Sequence, residues 1–595
     1  MKTGTSFWKI MLASMVGFIL ANLVIMLIFF GSIGSLISRF SKPEPVTIEE
    51  KSVLTLDLSL PIPDRTPQNP FGAFQFDAYD IKKIIGLNDI LRGLEHAKDD
   101  ENIEGVYLDV SVVKSSMATL QEIHNAIEDF KESGKWVVAY GDLMSQKAYY
   151  IATAADEIYL NPQGNMDFRG LSAQVMYYKT LLNKMGLEPQ IFRHGKFKSA
   201  VEPFMSDTMS QANRLQILTY TTSIWNNMLD KILETRNISK VELDSIANNM
   251  LISDAMSALE YGFVDDLKYK DEILTLINAK MDKEADEDIN FITMGKYKKM
   301  PLDIKKKHIS ENEIAVIFAE GNIVMGNGDE KSIGGERFAN AVRKARRDDN
   351  VKAIVLRVNS PGGSGLASEI IWRELMLAKK DKPVVVSMGN LAASGGYYIS
   401  CPADYIYAQP TTLTGSIGVF GLMFSAEELL NEKIGINVEV VNTNDHADMG
   451  NLARSFDEQE SAYMQNMVED FYDVFISRVA EGRNMTKAEV DEIGQGRVWT
   501  GENALEIGLV DELGGLEQAV EKAAELAEIE DYKIQECPKV KDFMEQLLIE
   551  YKFQTGLDFM KTLPGVDNKT INRIKTFKEL DKGVQARMPM DVEFE

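Results

Sequence analysis

The sequence predicts an α/β protein in which one fold occurs twice along the chain. When the 595-residue sequence is compared with itself at a shift of 248 positions, residues 102–110 (NIEGVYLDV) align with 350–358 (NVKAIVLRV) without a gap. Short β-branched runs such as 353–358 (AIVLRV) alternate with segments of helical spacing such as 366–379 (LASEIIWRELMLAK). Because buried parallel strands are continuous apolar runs joined by helices, this alternation indicates βαβ units and a largely parallel sheet.

The repeat continues beyond these first strands. Residues 149–151 (YYI) recur as 397–399 (YYI), and at a shift of 246 residues 260–267 (EYGFVDDL) align with 506–513 (EIGLVDEL). Register kept over so many apolar and glycine positions indicates a tandem duplication. A charged linker near 281–308 separates the copies.

The N-terminal stretch predicts one membrane span. Residues 10–38 carry no charge, and roughly 20 apolar residues suffice to cross a bilayer core. We expect an uncleaved signal anchor; the alternative is a signal peptide cleaved near 31–35 (GSIGS). Flanking Lys and Arg residues are nearly balanced, so these charges do not fix the orientation.

The predicted units are an anchor with its cytoplasmic tip (1–45), a first repeat (46–300), a second repeat (301–535) and a C-terminal helical extension (536–595) whose role the sequence does not indicate.

Composition excludes some classes of function. The chain has 90 acidic and 64 basic residues, a formal net charge of −26, which makes binding to nucleic-acid phosphates a poor hypothesis. The charge is interpreted as an acidic solvated surface. Two cysteines, Cys401 and Cys537, cannot form a disulfide framework and leave the redox compartment undecided.

The two copies differ at positions able to carry chemistry. In the second copy a strand runs into 359–364 (NSPGGS), where the first copy has 111–116 (SVVKSS). Successive glycines allow a tight turn that aims backbone N–H groups outward, as an oxyanion hole requires. A neutral strand-to-helix turn is the alternative.

A candidate nucleophile follows the next strand. Ser394 lies within 392–396 (AASGG), and the first copy places 146–148 (QKA) opposite residues 394–396. Small neighbours leave room for a substrate backbone to approach the hydroxyl. Considered alone, the same pattern also suits a close helix-packing turn.

A serine nucleophile needs a base. His194 and His446 lie near the loops that carry these candidates, but neither lies in a sequence pattern recognisable as part of a catalytic triad. Lys198 lies in an apolar segment, 195–204 (GKFKSAVEPF), and burial there would lower its pKa. The second copy has His446 at the equivalent position. A solvated surface lysine is the alternative interpretation.

Four segments together resemble a known family. They are 198–204 (KSAVEPF), 359–364 (NSPGGS), 392–398 (AASGGYY) and 413–418 (LTGSIG). In this order they are similar to the signal peptide peptidase SppA family, also called protease IV, in its long duplicated Gram-negative form. The resemblance implies a ClpP/crotonase-like fold in each repeat. It also implies Ser394 as nucleophile, Lys198 as general base, oxyanion donors at Gly362 and Gly363 with Gly363 favoured, and Ser416 orienting the lysine.

The resemblance also implies where the protein lies in the cell and which substrates it cleaves. It predicts a single-pass protein of the bacterial inner membrane, with periplasmic catalytic domains, that hydrolyses apolar peptides such as signal peptides left in the membrane. No metal or organic cofactor is expected, and the chain is expected to form a homo-oligomer, a tetramer by resemblance. Because one copy has the base and the other the nucleophile, the site must form where a first repeat meets a second, in one chain or between chains. Two alternatives stay open: a crotonase-type acyl-CoA enzyme and a catalytically inactive membrane scaffold.

Overall fold

A computed structural model describes residues 14–18, 20, 21, 24, 48–67, 74–77, 80–298, 310–538 and 585–587. Most of the predicted anchor therefore lies outside the described residues, although those between 14 and 24 are helical. Within the described part, no helix is long and apolar enough to cross a membrane. Of the predicted C-terminal helical extension, the structure describes only residues 536–538 and 585–587, and all but Pro538 lie in strands.

The first repeat is built on a parallel sheet in the order β8-β6-β5-β4-β1-β9. Its strands are apolar and buried at the centre, as β4 illustrates with Val106 and Leu108 fully enclosed. Such strands need cover on both faces, which the connecting helices supply. The strands are β1 (Ser52–Leu56), β4 (Ile103–Asp109), β5 (Trp136–Met144), β6 (Glu157–Met166), β8 (Asp266–Leu267) and β9 (Asn290–Thr293).

The second repeat has a sheet in the order β19-β17-β15-β13-β10-β21, and β16 joins it beside β15 and β20. Its pairs are parallel except β17 with β19. The strands are β10 (Glu313–Glu320), β13 (Val351–Ser360), β15 (Val384–Ala393), β16 (Tyr405–Ala408), β17 (Leu413–Gly415), β19 (Val498–Thr500), β20 (Glu512–Leu513) and β21 (Lys533–Cys537).

A third sheet joins the two repeats, in the order β12-β11-β14-β22-β18-β7. β7 belongs to the first repeat, β22 lies near the C terminus and the others belong to the second repeat. The strands are β7 (Glu188–Arg193), β11 (Asn322–Val324), β12 (Ser332–Gly334), β14 (Gly362–Ser364), β18 (Phe420–Ser425) and β22 (Gln585–Arg587), and a separate hairpin pairs β2 (Phe74–Asp77) with β3 (Asp80–Lys83).

Helices recur at the spacing that the sequence repeat predicts: α1 and α2 of the first copy reappear as α11 and α12. Ser364 caps α12 by accepting a hydrogen bond from the Ala367 N–H, which satisfies one of the free donors of its first turn. The described helices are α1 (Leu87–Asp99), α2 (Met117–Lys131), α3 (Gln146–Ala152), α4 (Lys179–Met185), α5 (Glu202–Met205), α6 (Gln211–Thr235), α7 (Lys240–Asn249), α8 (Ala255–Glu260), α9 (Lys270–Lys280), α10 (Met294–Tyr297), α11 (Gly335–Arg347), α12 (Gly365–Ala378), α13 (Gly395–Ser400), α14 (Glu458–Arg483), α15 (Lys487–Ile493), α16 (Gly501–Glu506) and α17 (Leu516–Leu526), with a 3₁₀ turn (Ser199–Val201) and a π-helical turn (Leu429–Ile434).

The α/β class and the duplication predicted from the sequence are confirmed. β4 and β13 begin 248 residues apart, as do β5 and β15, and β8 and β20 begin 246 apart. The copies also share a continuous interface, because Ala393, Leu413 and Val498 of the second repeat pack in the main core of the first.

A buried ion cluster ties the repeats together. Arg357 of β13 is 1% exposed and contacts Asp64 and Glu122 of the first repeat at 3.0 and 2.5 Å. Its guanidinium also donates to the Ser387 hydroxyl at 2.8 Å. Burial raises the pKa of Glu122, and the Arg357 charge opposes that rise. Removing one member of such a cluster leaves the remaining charges buried without a partner, which is costly in a dry interior.

Replacing Arg357 with Met is expected to lower the free energy of unfolding by about 3–5 kcal/mol, because Asp64 and Glu122 lose their countercharge. Arg92→Met is the matched control. Arg92 also joins the repeats, through Glu536 at 3.1 Å, but both side chains are solvent-accessible, so a loss below about 1 kcal/mol is expected. Chemical denaturation measures both variants, and equal losses would contradict the assigned role of the buried cluster.

Candidate active site

Lys198 meets Ser394 within one chain. Lys198 follows β7 and precedes the 3₁₀ turn, and its Nζ donates to the Ser394 Oγ at 2.8 Å. The same amine lies 3.1 Å from both the carbonyl oxygen and the Oγ of Ser416. All three side chains are completely buried. The first repeat therefore supplies the lysine and the second repeat the two serines.

The electrostatic setting of Lys198 favours a neutral amine. Burial holds the pKa of Lys198 well below its usual value, and no carboxylate contributes an opposing effect. Desolvation penalises the ammonium form, whereas the neutral amine retains a lone pair that can accept a proton. The Ser416 oxygens hold the amine beside Ser394 without supplying a full negative charge.

Loops from the second repeat enclose the stem of Lys198. The Phe197 N–H donates to the Gln495 carbonyl at 2.9 Å, which pins the lysine loop against residues 494–496. Gly496 has a φ of +80°, and a Cβ placed there would lie 2.6 Å from the Lys198 Cβ. A Cβ on Gly418 would likewise lie 3.2 Å from the Lys198 Cδ. Glycine is needed at position 496 both for its conformation and for this close approach.

Gln216 of α6 locks the other side of the lysine loop. Its amide donates to the Phe197 carbonyl at 3.1 Å and to the Ser199 hydroxyl at 2.8 Å. Its oxygen accepts from the Val498 N–H of β19 at 3.3 Å. Sequence reasoning missed Gln216 and Gly496. The available signal was the GQG at 494–496, where at a shift of 246 the first copy has NNM.

Ser394 stands at a sharp turn between β15 and α13. Its backbone has φ 55° and ψ −114°, which is strained for a residue with a side chain. The turn is held by the Ser394 N–H, which donates to the Gly415 carbonyl at 2.8 Å. A Cβ on Gly396 would lie 2.7 Å from the Ser360 carbonyl, so the turn also needs a small residue there. The strained geometry is the kind found at functional turns.

The Gly362–Gly363 segment lies in β14, which packs against α13. Gly362 has φ 95° and Gly363 φ 153°, conformations that favour glycine. The Gly362 N–H donates to the Ser360 hydroxyl at 3.1 Å, so it is already engaged inside the loop. Gly363 is the other predicted oxyanion donor and the one that the family resemblance favours.

Neither histidine faces Ser394. His194 lies 2.5 Å from a Glu469 oxygen and stacks on the Tyr472 ring at 3.7 Å. His446 lies in a surface cluster with Asp457 and Glu460. The structure thus brings Lys198, rather than a histidine, to the serine.

The first copy fills the equivalent positions with other polar contacts. Gln146 occupies the place of Ser394, and its side-chain oxygen accepts hydrogen bonds from the backbone N–H groups of Arg169 and Gly170 at 2.7 and 2.8 Å. Ser115 aligns with Gly363 in the repeat, and its hydroxyl accepts a hydrogen bond from the Ile62 N–H at 3.1 Å. In the first copy these positions therefore have a structural role, because their side chains are engaged in internal hydrogen bonds.

Comparison with known proteins places this fold and site in a family. The model of peptidase family S49 matches residues 129–286 and 376–530, one region in each repeat. The chain is 37% identical over 521 residues to "Protease 4" of Haemophilus influenzae, covering 85% of this chain and 84% of that protein. It is 39% identical over 511 residues to "Protease 4" of Salmonella typhi, covering 83% and 82%.

A third relative comes from a plant. The chain is 30% identical over 518 residues to "Serine protease SPPA, chloroplastic" of Arabidopsis thaliana, covering 85% of this chain and 74% of that protein. The chain therefore belongs to peptidase family S49 and is a serine peptidase. The resemblance to the SppA (protease IV) family is confirmed.

Gly496→Ala is expected to reduce peptidase activity at least tenfold, because the added Cβ collides with Lys198 and displaces its amine from Ser394. The control is Gly295→Ala, where an added Cβ meets nothing within 4 Å. Turnover of an apolar fluorogenic peptide measures the effect, with circular dichroism to check folding. Full activity in Gly496→Ala would contradict the packing role of this glycine.

Proposed function

We propose that the chain is a membrane-anchored serine endopeptidase with a Ser/Lys dyad. Its substrates are apolar peptides, such as signal peptides left in the membrane after release from preproteins. The observation that carries the proposal is the 2.8 Å contact between the Lys198 Nζ and the Ser394 Oγ in a fully buried setting. Family membership supports the reaction class.

The catalytic cycle follows from these groups. Neutral Lys198 accepts the Ser394 hydroxyl proton as the Oγ attacks the substrate's peptide carbonyl. Lys198 then gives the proton to the leaving amine, and water, activated by the same lysine, hydrolyses the acyl-enzyme. The two Ser416 oxygens hold the amine in place through both transfers.

The Gly363 N–H is the proposed oxyanion donor. Negative charge develops on the carbonyl oxygen during attack, and a fixed backbone donor in a dry site stabilises it without reorganisation. Loss of one such donor costs about 2.7–4 kcal/mol of transition-state stabilisation in comparable enzymes. Gly362 supports the loop through its bond to Ser360.

The charge-free stretch 10–38 supports a membrane anchor. The proposed location in the bacterial inner membrane, with the catalytic repeats on the periplasmic side, rests on the family resemblance. An anchor keeps the site close to peptides that partition into lipid. Protease added outside intact spheroplasts should digest the catalytic repeats; protection there, with digestion in inverted vesicles, would place them in the cytoplasm instead.

The two alternative functions predict different behaviour. An acyl-CoA enzyme would bind CoA, and calorimetry with CoA tests this directly. A catalytically inactive scaffold would need no aligned dyad, yet Lys198, Ser394 and Ser416 are within hydrogen-bond distance. Labelling of Ser394 by a fluorophosphonate probe separates a working serine from a scaffold.

Ser394→Ala and Lys198→Met are each expected to lower kcat at least a thousandfold, because each removes one partner of the proton transfer. In the wild type, activity should rise with pH through the lowered pKa of Lys198, since only the neutral amine is a base. The midpoint of this rise should lie well below about pH 10.4, the ordinary pKa of lysine. Lys196→Met, next but one in the chain, is the control. A rate profile without this limb, or activity retained in either dyad variant, would overturn the mechanism.

Two unpaired segments support the proposed homo-oligomer. β7 of the first repeat pairs antiparallel with β18 of the second. Residues 186–193, which contain β7, correspond at a shift of 249 to 435–442 (GINVEVVN) in the second copy. Residues 418–425, which contain β18, correspond at a shift of 248 to 170–177 (GLSAQVMY) in the first copy. Neither segment lies in a strand, and Val438, Val440 and Met176 are each 46% exposed. One chain therefore offers two exposed segments that correspond, through the repeat, to the two strands of a pairing it already makes internally.

Head-to-tail contact between copies would pair these segments as β7 pairs with β18. Such heterologous contacts close into rings when the rotation allows, which agrees with the expected tetramer. The contact between Lys198 and Ser394 forms within one chain.

The register of β7 with β18 predicts which residues meet between copies. Phe424 lies opposite Pro189, so Met176 of one copy should lie opposite Val438 of the next. A Met176→Cys, Val438→Cys variant is expected to form disulfide-linked oligomers under mild oxidation. Met176→Cys with Val441→Cys, whose side chain alternates to the other face, is the control. Absence of the cross-link together with a monomeric mass in light scattering would contradict this assembly.

A further inference from the structure

A buried carboxylate that the catalytic cycle does not use lies four residues after Lys198. Glu202 begins α5 and is 5% exposed. One of its oxygens accepts a hydrogen bond from the Ser210 N–H at 2.7 Å, and the other accepts from the Asn213 side-chain amide at 2.5 Å. Ser210 caps α6 and Asn213 lies in its first turn. These donors satisfy the carboxylate and fix it at the positive end of the helix.

The contacts continue along α6 to the lysine loop. The Asn213 side-chain oxygen accepts from the Gln216 side-chain amide at 3.0 Å. The same amide group is bonded to the residues on either side of Lys198, and the Gln216 oxygen accepts from the Val498 N–H. Asn213 and Gln216 are both buried, so water is poorly placed to replace these partners. The contacts form one continuous hydrogen-bond chain from Glu202 to Gln216.

The carboxylate sets the direction of every bond in this hydrogen-bond chain. A side-chain amide can present either its NH2 group or its oxygen, whereas a carboxylate can only accept. Glu202 therefore requires the NH2 group of Asn213, which leaves the Asn213 oxygen facing Gln216. Gln216 must then turn its NH2 group to that side and its oxygen to the Val498 N–H. The acceptors beside Lys198 fit this orientation of Gln216 and not the reverse one.

β19 extends the effect to the other group that holds the lysine amine. Val498, which donates to Gln216, is the first residue of β19. The carbonyl of the residue before it, Arg497, accepts from the Ser416 N–H at 2.6 Å. The Gln216 side chain thus contacts both the loop that carries Lys198 and the strand next to the residue that holds Ser416.

The second copy lacks these groups as well as the lysine. At the shift of 248 it has Gly450 and Met464 in place of Glu202 and Gln216. Neither residue has a side-chain carboxylate or amide. The hydrogen-bond chain is therefore restricted to the copy that has the candidate base.

We propose that Glu202 is a positioning residue for the proton transfer between Lys198 and Ser394. Through Asn213 and Gln216, its carboxylate fixes the backbone on both sides of the lysine. This inference rests on the proposed function, because it takes Lys198 as the base. The amine and the serine hydroxyl are 2.8 Å apart, and misplacing a catalytic group by about 1 Å can cost on the order of a hundredfold in rate.

Replacing the carboxylate with an amide tests this role. Glu202→Gln keeps the size of the side chain, but its NH2 group forces two donors to face each other somewhere between Ser210 and Val498. We expect kcat for an apolar fluorogenic peptide to fall by about tenfold or more with KM little changed, because the dyad and not substrate binding is disturbed. Glu242→Gln is the matched control, since Glu242 also accepts a backbone N–H at a helix N-terminus but is exposed and remote from this hydrogen-bond chain.

A double exchange should restore the direction of the bonds. In Glu202→Gln, Asn213→Asp the carboxylate at position 213 can accept from Gln216 and from the amide at position 202, whose oxygen can still accept from the Ser210 N–H. We expect kcat to return to within about threefold of the wild-type value, which a purely structural defect would not allow. Circular dichroism checks the folding of each variant. Wild-type kcat in Glu202→Gln, or no recovery in the double variant, would overturn the inference.

Hydrogen exchange separates this inference from the proposed function. The Val498 amide should exchange faster in Glu202→Gln than in the wild type and recover in the double variant, because its acceptor is Gln216. That pattern in a protein whose wild type cleaves no peptide would uphold the hydrogen-bond chain and reject the peptidase. Unchanged exchange and unchanged kcat in Glu202→Gln, in a protein that Lys198→Met inactivates, would reject the positioning role and retain the peptidase.

Discussion

The burial of one lysine amine is the constraint on which the rest of the site depends. Lys198 can act as a base only while it is neutral, and it is neutral only where water and carboxylates are kept from it. Phe197 and Gln216 of the first repeat and the Gly418 and Gly496 backbone of the second provide that enclosure. Neither repeat could do so alone. The dry pocket exists because two copies of one fold are joined in a single chain.

Duplication also explains why the described chain contains one such site. In the first copy, Gln146 and Ser115 stand at the positions of the nucleophile and the oxyanion loop, and both accept internal hydrogen bonds. The second copy correspondingly lacks the lysine. A buried amine that has no carboxylate partner and a strained serine turn both cost stability, so restricting them to one junction per chain limits that cost. The Arg357 cluster holds the junction closed from the opposite side of β13 and β15.

The sequence was sufficient to predict the α/β class and the duplication, because each leaves a local signal, and the resemblance to a known family assigned roles to Lys198, Ser394 and Gly363. Strand and helix periodicity, aligned repeats and differences between the copies at Lys198, Ser394 and Gly363 can all be observed along one chain. Gln216 and Arg357 could not be predicted in this way. Their roles arise from contacts across more than 200 residues, and nothing in their own neighbourhoods distinguishes them from ordinary polar residues.

The third sheet links recognition to chemistry. Its strands come from both repeats, and under the proposed function an extended substrate would lie along this sheet, beside Gly363 of β14. Backbone pairing is largely indifferent to side chains, so selection would fall first on conformation: a peptide must be extended with its backbone groups unpaired. Folded proteins fail that test because their backbone groups are already bonded. A peptide freed from its precursor can meet it. Under the proposed function, the geometry that orients a scissile bond beside Ser394 therefore also excludes folded proteins.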